Sequence, residues 1–421
     1  METCDYSNFY SLEKENELRI IVGDQARDVK IELVGGLAEI HGSLMDMHKS
    51  YCLPVNASVA IFTWEGCTIK VTGKPVSVHV VADTLMILYV TLHASLEERR
   101  IRAASDNTNG PITLIVGPKD VGKSTLCRFL LNYAVHCGKC PLYIDLDVGQ
   151  NSISIPGTVA VLTVQKPADI VAGLEDEAMQ VYHFGYNTPG HNIILYNLLM
   201  KKLGQTLLSG LKRIDKKIKH SGVIINSCGW IRGYGYNAIT LAALNFEIDV
   251  LCVIHEERLY MQLLQDMPSS VKVHFVPKMD GAIERSPEIR SQSREARVKE
   301  YFYGPSNELQ PFTFVVKYSE IQVFRVKTRP LGEGGESMNN VSLDNACLVP
   351  VPLDYTLLHQ VLALSSSDTV EKDLILAHVI GFICVTSINL TESTITVLSP
   401  QPPPLPKKIL LIGSTRLIQQ H

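Results

Sequence analysis

Short β-branched runs, separated by Gly, Asn or Pro, make up most of the first 98 residues of the chain. Runs of this kind are typical of the strands of a small sandwich or barrel. The predicted strands are residues 18–22, 29–33, 37–40, 59–64, 68–71 and 76–81. A helical pattern follows over residues 94–104, and the turn-rich segment 105–111 predicts a connector. Residues 1–98 are therefore predicted to form an N-terminal β domain.

The middle of the chain has longer apolar runs that alternate with helical patterns. Residues 112–116 and 142–148 are largely apolar, and the helical pattern 124–135 lies between them. Strand, helix and strand at this spacing predict a βαβ unit with parallel strands. Further strands are predicted at 223–226 and 250–255, with helices at 192–208 and 237–246. Residues 99–307 are therefore predicted to be a doubly wound α/β domain.

Short β-like runs return in residues 308–421, which we predict to be a C-terminal β domain. The predicted strands are residues 312–318, 321–326, 379–385, 395–398 and 409–412. The Gly- and Asn-rich stretch 328–348 predicts a loop. Residues 401–408, QPPPLPKK, fit a polyproline segment that binds a partner or an edge connection in a compact β domain, and we favour the connection.

The amino-acid composition argues against a disordered, a strongly basic or a membrane-spanning protein. The chain has 421 residues, of which 46% are hydrophobic and 19% charged, so it can bury several cores. Its 39 Lys and Arg against 43 Asp and Glu give a net charge of −4, so any nucleic-acid binding needs a local groove. No secretory signal and no apolar run of ~18 residues is found, so we expect no membrane partner. The ten Cys, including the pair Cys137 and Cys140, are expected to be reduced.

Residues 117–124, GPKDVGKS, match the pattern GxxxxGK[ST], with an apolar strand before it and a helical pattern after it. Gly117 and Gly122 let the backbone curl so that its N–H groups face phosphate oxygens, and the helix N-terminus adds its dipole. Lys123 can reach the β- and γ-phosphates, and the Ser124 hydroxyl can ligate Mg²⁺. The segment therefore predicts a phosphate-binding loop (P-loop), and a chance match in a turn is the less favoured reading.

Two acidic residues end the second strand of this domain, in YIDLDVGQ. Asp145 and Asp147 are two residues apart, so we predict that they project from the same face. Asp147 lies nearer the carboxyl end, where ligands bind in parallel sheets, and could hold Mg²⁺ or accept a proton. Asp145 could instead cap a helix or solvate the strand end. We favour Asp147 for chemistry.

GPKDVGKST is followed in order by DLDVGQNSISIPGT, YHFGYNTPG, INSCGWIRGYGY and ERSPEIRSQSREARVKEYFYG. With ELR and VAIFTWEGC before it and TVLSPQPPPLPKKILLIG near the end, this set resembles, almost end to end, the polyribonucleotide 5′-hydroxyl-kinase family of the mRNA 3′-end cleavage machinery. The resemblance implies a P-loop kinase domain between two small β domains. It also implies transfer of the ATP γ-phosphate to the 5′-hydroxyl of RNA, and also of DNA.

The same resemblance implies cofactors and partners. ATP and Mg²⁺ would be the cofactors, and an RNA 5′ end or single-stranded RNA the substrate. Other subunits of the cleavage and polyadenylation factor and the tRNA splicing endonuclease complex would be partners, in the nucleus. Some members with a degenerate P-loop keep ATP without phosphorylating RNA. This chain keeps Lys123, Ser124 and Asp147, so it looks like the active type.

Nucleotide contacts carry over residue by residue. The resemblance implies that the triphosphate lies on Asp120, Val121, Gly122, Lys123, Ser124 and Thr125. It makes Asp147 the general base, with Ser124 and Asp147 at the metal. Glu17, in ELR, would approach the adenine. Ser58 matches a further nucleotide contact, where relatives have a longer basic residue.

Substrate contacts are predicted from three later segments. Trp230, in the Gly-rich run CGWIRGYG, could stack on a base or anchor a loop, and we favour stacking. Thr188 and Asn192, in NTPGHN, and Gln150 could bind the substrate phosphate. For Thr188 and Asn192 a turn with a helix cap is an equal alternative.

Four arginines, Arg285, Arg290, Arg294 and Arg297, lie in a segment with interspersed glutamates. Pattern alone favours a solvated, salt-bridged helix. The resemblance implies a lid instead, with Arg290 and Arg294 on the γ-phosphate and Arg285 on the substrate side. A second basic run at 201–219 fits an RNA-backbone contact, and more often a solvated surface.

The sequence therefore supports one leading hypothesis, an ATP-dependent kinase for the 5′-hydroxyl of RNA. The competing hypothesis is an ATP-locked scaffold of an RNA-processing complex that performs no chemistry. A P-loop GTPase is disfavoured because no Asn-Lys-x-Asp base-reading motif follows the later strands.

Overall fold

The N-terminal residues form two facing antiparallel sheets in this computed structural model, which describes residues 7–24, 29–174, 179–278, 281–305, 307–329 and 342–418. One sheet has the order β1-β8-β3-β6 and the other β5-β4-β7-β2-β9. The strands are β1 Ser7–Leu12, β2 Glu17–Ile21, β3 Lys30–Gly36, β4 Glu39–Ile40, β5 Ser43–Leu44, β6 Ser50–Cys52, β7 Ser58–Phe62, β8 Cys67–Thr72 and β9 Ser77–Val81. Alternate side chains of β8, such as Ile69 and Val71, are buried between the sheets, as a half-buried strand requires. The predicted sandwich is confirmed.

A long helix, α1 (Met86–Asp106), leads from the sandwich to the central sheet. It begins eight residues before the predicted start at residue 94. Met86, Tyr89 and Leu92 recur at helical spacing and are buried. Their burial against the rest of the protein explains the longer helix, which weak local propensity did not reveal.

The central sheet is built on five parallel strands in the order β16-β15-β10-β14-β11. These are β10 Ile112–Val116, β11 Leu142–Asp145, β14 Val223–Asn226, β15 Val250–Ile254 and β16 Lys272–Val276. Six helices accompany them: α2 Lys123–His136, α3 Ile193–Gly210, α4 Lys216–Ser221, α5 Tyr234–Asn245, α6 Glu257–Asp266 and α7 Pro287–Tyr303. All five residues of β10 are buried, because helices cover both faces of such a sheet.

Two antiparallel strands, β12 (Thr158–Thr163) and β13 (Met179–His183), extend this sheet beyond β11. Sequence patterning did not predict them. The predicted strand 142–148 was also too long, since β11 ends at Asp145. The chain turns there because the Asp147 side chain accepts hydrogen bonds from the backbone N–H groups of Gly149 and Gln150.

The C-terminal β domain continues the same sheet, because Val181 and Tyr182 of β13 pair with Val379 and His378. Its strands are β17 Phe312–Lys317, β18 Gln322–Thr328, β19 Ala346–Pro350, β20 Gln360–Ser365, β21 His378–Asn389, β22 Thr394–Ser399 and β23 Ile409–Arg416. The sheet therefore has 14 strands in all among the described residues. The last strand, β23, inserts between β20 and β18.

Two segments of the C-terminal domain were predicted to lack strands, residues 401–408 and 328–348. Residues 401–408 connect β22 to β23, as favoured above. The predicted loop 328–348 is wrong at its end, because Ala346–Pro350 forms β19 through pairing with β18. Residues 330–341 of that stretch lie outside the described residues.

Two further expectations concern the membrane and the cysteines. Across the described ranges, no helix combines the length and apolarity that a membrane crossing needs. The nine cysteines of those ranges, Cys137 and Cys140 included, are free.

Candidate active site

The loop between β10 and α2 has the curled backbone of a phosphate-binding loop. Gly117 and Gly122 have positive φ angles of 154° and 97°, and a Cβ added to Gly117 would lie 2.7 Å from the Ile254 carbonyl oxygen. Asp120 is also left-handed, with φ 57°, a conformation that Asp tolerates better than most residues. Helix α2 begins at Lys123, so its first turn, with Ser124, points unpaired N–H groups into the loop.

The Lys123 ammonium is held by the loop itself. Its Nζ donates to the Gly117 carbonyl at 3.0 Å and to the Pro118 carbonyl at 2.6 Å, and the residue is 7% exposed. Burial lowers the pKa of Lys123, while the nearby Asp147 carboxylate opposes that shift. The ammonium is therefore a concentrated positive charge at the point where a triphosphate would lie on the loop.

Asp147 stands at the mouth of the cavity with one oxygen fixed. Its Oδ1 accepts from Gly149 N at 2.9 Å and Gln150 N at 3.2 Å. In the part of the chain that the structure describes, Oδ2 makes no hydrogen bond. Asp147 lines the cavity, and Oδ2 is therefore the oxygen left to accept a proton or a metal ion.

Asp145 has a different environment, at the buried end of β11 with 0% exposure. Its carboxylate accepts from Ser152 N at 2.8 Å, Ser152 Oγ at 2.6 Å and Asn226 Nδ2 at 3.0 Å. Burial raises the pKa of Asp145 to about 6, the charge of Asp147 adds to the rise, and these hydrogen bonds oppose it. Asp145 does not share a strand face with Asp147, which lies in the loop beyond the strand.

Asn226 links Asp145 to the P-loop. Its Nδ2 also donates to Ser124 Oγ at 3.3 Å, while its Oδ1 is buried and has no partner among the described residues. Asn226 therefore holds the Ser124 hydroxyl in place, and its hydrogen bond to the buried Asp145 carboxylate fixes Asn226 in turn.

One cavity of about 470 Å³, which we call the P-loop cavity, collects most of the predicted site residues. It is lined by Asp120, Gly122, Lys123, Ser124, Thr125, Asp147, Gln150, Thr188, Trp230, Arg285, Arg290 and Arg294. Val121 is buried under the loop. Lys119, Asn187 and Cys228 also line the cavity and were not predicted.

Thr188 and Trp230 form one wall of the P-loop cavity. A Cβ added to Gly190 would lie 3.9 Å from both Thr188 Oγ1 and the Trp230 Cη2 atom, so the ring lies beside the Thr188 turn. Trp230 is half-buried and lines the cavity. A flat, partly exposed indole beside a hydroxyl can stack on a base while the hydroxyl binds a phosphate.

Asn192 is not brought to this cavity. Its Oδ1 caps α3 by accepting from Leu195 N at 3.1 Å, and it also accepts from Thr328 Oγ1 at 2.8 Å. The helix-cap alternative therefore describes this side chain.

Arg285 and Arg290, from the segment for which the resemblance implies a lid, are fastened to the P-loop by Asp120. Arg285 Nε lies 3.1 Å from Asp120 Oδ1, Arg285 N donates to Oδ2 at 3.1 Å, and Arg290 pairs with the same carboxylate. The Asp120 side chain is 4% exposed. Burial acts to raise its pKa, but the hydrogen bonds and charge of Arg285 and Arg290 lower it overall. Gln150 adds contacts to Arg285 and to the Arg290 carbonyl.

The last arginines of the lid differ from these. Arg294 lines the cavity and has no ion pair within the described ranges. Arg297 donates to the Ser152 and Ile153 carbonyls at 3.1 and 3.3 Å and pairs with Glu300 at 2.9 Å. Arg297 therefore braces the loop after β11.

A smaller space of about 40 Å³, the inter-domain cavity, lies between the sandwich and α2. Glu17, Arg19, His41 and Tyr89 line it, and Thr125 lines both cavities. Glu17 pairs with Arg19 at 2.6 Å. Ser58 lines neither cavity and donates to the Gly281 carbonyl at 3.2 Å, just before the lid. Glu17 is thus placed beside the nucleotide loop, and Ser58 beside the lid.

Comparison with known proteins gives matches along the whole chain. Three family models match: "mRNA cleavage and polyadenylation factor CLP1 P-loop" over residues 117–304, the "N-terminal beta-sandwich domain of polyadenylation factor" over 11–103, and "Pre-mRNA cleavage complex II protein Clp1" over 309–418. The chain is 42% identical over 413 residues to the "Protein CLP1 homolog" of Culex quinquefasciatus, covering 98% of this chain and 97% of the relative. It is 41% identical over 410 residues to the "Polyribonucleotide 5'-hydroxyl-kinase Clp1" of Rattus norvegicus, covering 97% and 96%.

Solved structures share the fold. The chain matches Clp1p from a Clp1p–Pcf11p complex with a TM-score of 0.84 at 21% identity, covering 99% of each chain. A second Clp1p–Pcf11p structure, described as explaining the loss of ATP in a point mutant, matches with a TM-score of 0.84 at 20% identity, covering 98% of this chain and 99% of the other. The predicted three-part α/β architecture with a central P-loop domain is confirmed.

Proposed function

The chain belongs to the Clp1 family of mRNA cleavage and polyadenylation factors, and from that premise we propose that it is an ATP-dependent polyribonucleotide 5′-hydroxyl-kinase. The observation that carries the proposal is the P-loop cavity. A phosphate-binding loop, a carboxylate with a free oxygen, an indole and the lid arginines all face this one space. Relatives at 41% identity carry the name of this activity.

ATP would bind with its triphosphate on the P-loop and its base toward Glu17. The N–H groups of the loop and of the first turn of α2 would donate to phosphate oxygens. Lys123 Nζ would exchange the Gly117 and Pro118 carbonyls for the β- and γ-phosphates. Thr125 lines both cavities, so the P-loop lies next to the space beside Glu17.

Proton removal from the attacking hydroxyl falls to Asp147. Hydrogen bonds from Gly149 and Gln150 hold Oδ1, so Oδ2 is the oxygen left to take the proton. As negative charge spreads over the transferred phosphoryl group, Lys123 and Arg294 are the cations free to follow it, with Arg290 once it leaves Asp120.

Magnesium fits the residues present. Ser124 Oγ and Asp147 Oδ2 are hard oxygen ligands, and the Ser124 hydroxyl is already fixed by Asn226. We propose that Ser124 Oγ binds Mg²⁺ directly and that Asp147 holds the ion through a water molecule, which leaves Oδ2 able to accept the proton. The ion would neutralise part of the triphosphate charge.

The acceptor strand would be held by its first nucleotide. A 5′-hydroxyl is uncharged, so the binding energy for the acceptor must come from contacts to the first base and to the next phosphate. Trp230 supplies a stacking surface that tolerates any base, and Thr188, Gln150 and Arg285 supply donors for that phosphate. Asn192 supports this wall only through its cap on α3.

The test is transfer of labelled γ-phosphate to an oligoribonucleotide with a 5′-hydroxyl. Lys123→Ala should lower the rate at least about a hundredfold, because it removes a cation placed for the transferred charge. The matched control is Lys30→Ala, a lysine exposed on β3 of the sandwich, which should keep the parent rate. Robust transfer by Lys123→Ala with an unchanged melting temperature would refute the assignment.

One observation favours the alternative of a nucleotide-retaining scaffold. Asp120 fastens Arg285 and Arg290 to the P-loop, which is an arrangement that closes the lid over bound nucleotide. Purified chain that retains ATP, yet transfers no phosphate to RNA, would support the scaffold.

Family membership also suggests protein partners and a cellular location for the chain. We propose that the chain assembles with cleavage and polyadenylation factor subunits, because its whole length matches Clp1p of the Clp1p–Pcf11p complex in fold. The tRNA splicing endonuclease complex as a partner and the nucleus as the location rest on the resemblance alone. Purification of the tagged chain from nuclear and cytoplasmic extracts, followed by identification of bound subunits, tests all three.

A further inference from the structure

A second cavity of about 250 Å³, which we call the arginine cavity, adjoins the P-loop cavity between the loop after β11 and the lid helix α7. The two cavities share Gly149, Gln150 and Arg294 in their linings. The arginine cavity is further lined by Arg128, Ser152, Arg297 and Glu300. Nothing in the proposed reaction uses this space.

Arg128 is the unexplained residue of this cavity. It lies in the second turn of α2, the helix that begins in the P-loop, and it is half-buried. Its guanidinium makes no hydrogen bond or ion pair with any residue that the structure describes. A Cβ added to Gly173 would lie 3.6 Å from Arg128 Nη2, so Gly173 lies beside the guanidinium.

The charges around the cavity favour an anion. Three arginines face one glutamate, and Glu300 is already paired with Arg297. Burial lowers the pKa of Arg128 and the charge of Arg297 lowers it further, although Tyr143 opposes the shift. Arg128 has no counter-charge among the described residues, which makes its burial costly, and a bound anion would offset that cost.

A phosphodiester fits this environment best. A guanidinium binds phosphate oxygens in a two-pronged manner, and Arg294 reaches both cavities. The linings are continuous at Gly149 and Gln150, on the acceptor side of Asp147. A strand whose 5′ end lies in the P-loop cavity can therefore continue past Arg294.

We propose that the arginine cavity binds an internucleotide phosphate of the acceptor strand, downstream of the first one, with Arg128 as its main ligand. This inference rests on the proposed kinase function. It predicts that the chain prefers acceptors long enough to place a later phosphate on Arg128. Arg128 is then a length-selecting residue of the substrate site.

The kinetic test compares a 5′-hydroxyl dinucleotide with an octaribonucleotide of the same first two bases. Arg128→Gln should lower the ratio of the two kcat/KM values, octamer over dinucleotide, about tenfold, which is the size expected for one charge-assisted contact. Arg128→Lys keeps the positive charge but cannot make the two-pronged contact of a guanidinium, so it should lower the octamer-to-dinucleotide ratio about threefold.

The control is Lys299→Gln, which removes an exposed cation from the same lid helix. Lys299 lines a different cavity, beside Arg416 of β23, where the strand could alternatively leave the site. It should keep the parent ratio. A fall in the ratio with Lys299→Gln and none with Arg128→Gln would overturn the proposal, as would an equal fall on both substrates with Arg128→Gln.

A binding measurement separates this inference from the kinase assignment. With the fluorescent octamer as the probe, Arg128→Gln should reduce the slope of log affinity against log salt by about 0.7, the contribution of one single-strand phosphate. If the parent chain transfers no phosphate but the slope still changes, the kinase proposal fails and the cavity remains a strand-binding site. An unchanged slope overturns the inference whatever the activity.

Discussion

The P-loop cavity and the inter-domain cavity are joined at Thr125 but are built in opposite ways. The first has a volume of about 470 Å³ and is lined by charged and polar residues from short segments of one domain. The second has a volume of about 40 Å³ and lies where the sandwich meets α2. The P-loop cavity depends on local backbone geometry, whereas the inter-domain cavity depends on how two domains dock.

The docking of the sandwich rests on buried polar contacts with α2. Tyr133 donates to Glu39 of β4, with 2.9 and 3.0 Å to its two oxygens, and accepts from Trp64 Nε1 at 3.2 Å. Asn132 binds the His41 carbonyl and Ser43 Oγ. Satisfied polar pairs of this kind fix one orientation, because a shift leaves buried groups unpaired.

The largest effect expected is at the P-loop cavity. Asp147→Asn should lower kcat for phosphate transfer about 10²–10⁴-fold, because it removes the proton acceptor and keeps the shape. Nucleotide affinity should change little if Lys123 and the loop N–H groups dominate binding. The measurement is single-turnover transfer together with ATP binding by calorimetry. A kcat that is unchanged would place the base elsewhere, with Asp145 as the next residue to test.

At the domain interface, the expected effect is on stability. Burial raises the pKa of Glu39 to about 7, although the Tyr133 hydrogen bond opposes the rise. The raised value means that protonated Glu39 favours the folded state below pH 4.5, and that this contribution is lost as the pH rises through about 7. Glu39→Gln should therefore stabilise the protein at pH 8 by about 2–3 kcal/mol and much less at pH 5.

Denaturant unfolding at the two pH values measures this difference. The control is Glu98→Gln, an exposed residue of α1 paired with Arg102, which should show no such pH dependence. Equal effects of Glu39→Gln at both pH values would mean that Glu39 does not titrate in this range.

A smaller effect tests whether Asp120 controls access to the P-loop cavity. Asp120→Asn removes both ion pairs to the lid, and the rate of ATP dissociation should rise about tenfold, since partly exposed pairs contribute about 1 kcal/mol or less each. Stopped-flow release of a fluorescent ATP analogue measures the rate. Glu300→Gln, which loosens Arg297 near the other end of α7, is the control and should leave release unchanged.

The smallest effect is expected in the inter-domain cavity. Glu17→Gln should raise KM for ATP about threefold and leave kcat unchanged, because a base contact acts equally on ground and transition states. Ser58→Ala provides the comparison, since Ser58 lines neither cavity and should leave KM unchanged. A rise in KM with Ser58→Ala alone would move the base toward the start of the lid.

Sequence reasoning placed the parts of the site that are local. The spacing of Gly117, Gly122 and Lys123 specifies a loop whose geometry depends only on its own backbone and on the helix that follows. Asp147 could be placed because the carboxyl end of a parallel strand is a fixed point of the fold. The lid arginines were located as a helix, but pattern alone could not say what they touch.

What the sequence could not supply depends on contacts between distant segments. The pairing of Asp120 with Arg285 and Arg290 joins segments that are far apart in the chain, and so does the cavity that brings Arg128 and Arg297 together. Asn192 could not be assigned because a cap and a phosphate ligand need the same side chain.

Among the strands, β12 was missed for a different reason. It is a short apolar run with four buried and two half-buried residues. Hydrophobic periodicity cannot distinguish such a run from a segment of a buried helix.

The insertion of β23 between β20 and β18 has a consequence for how the polypeptide matures. Until the ribosome has released residues 409–416, two neighbouring strands present unsatisfied main-chain groups to the solvent. The edges of β20 and β18 that border β23 can therefore be paired only after the chain has been synthesised through residue 416.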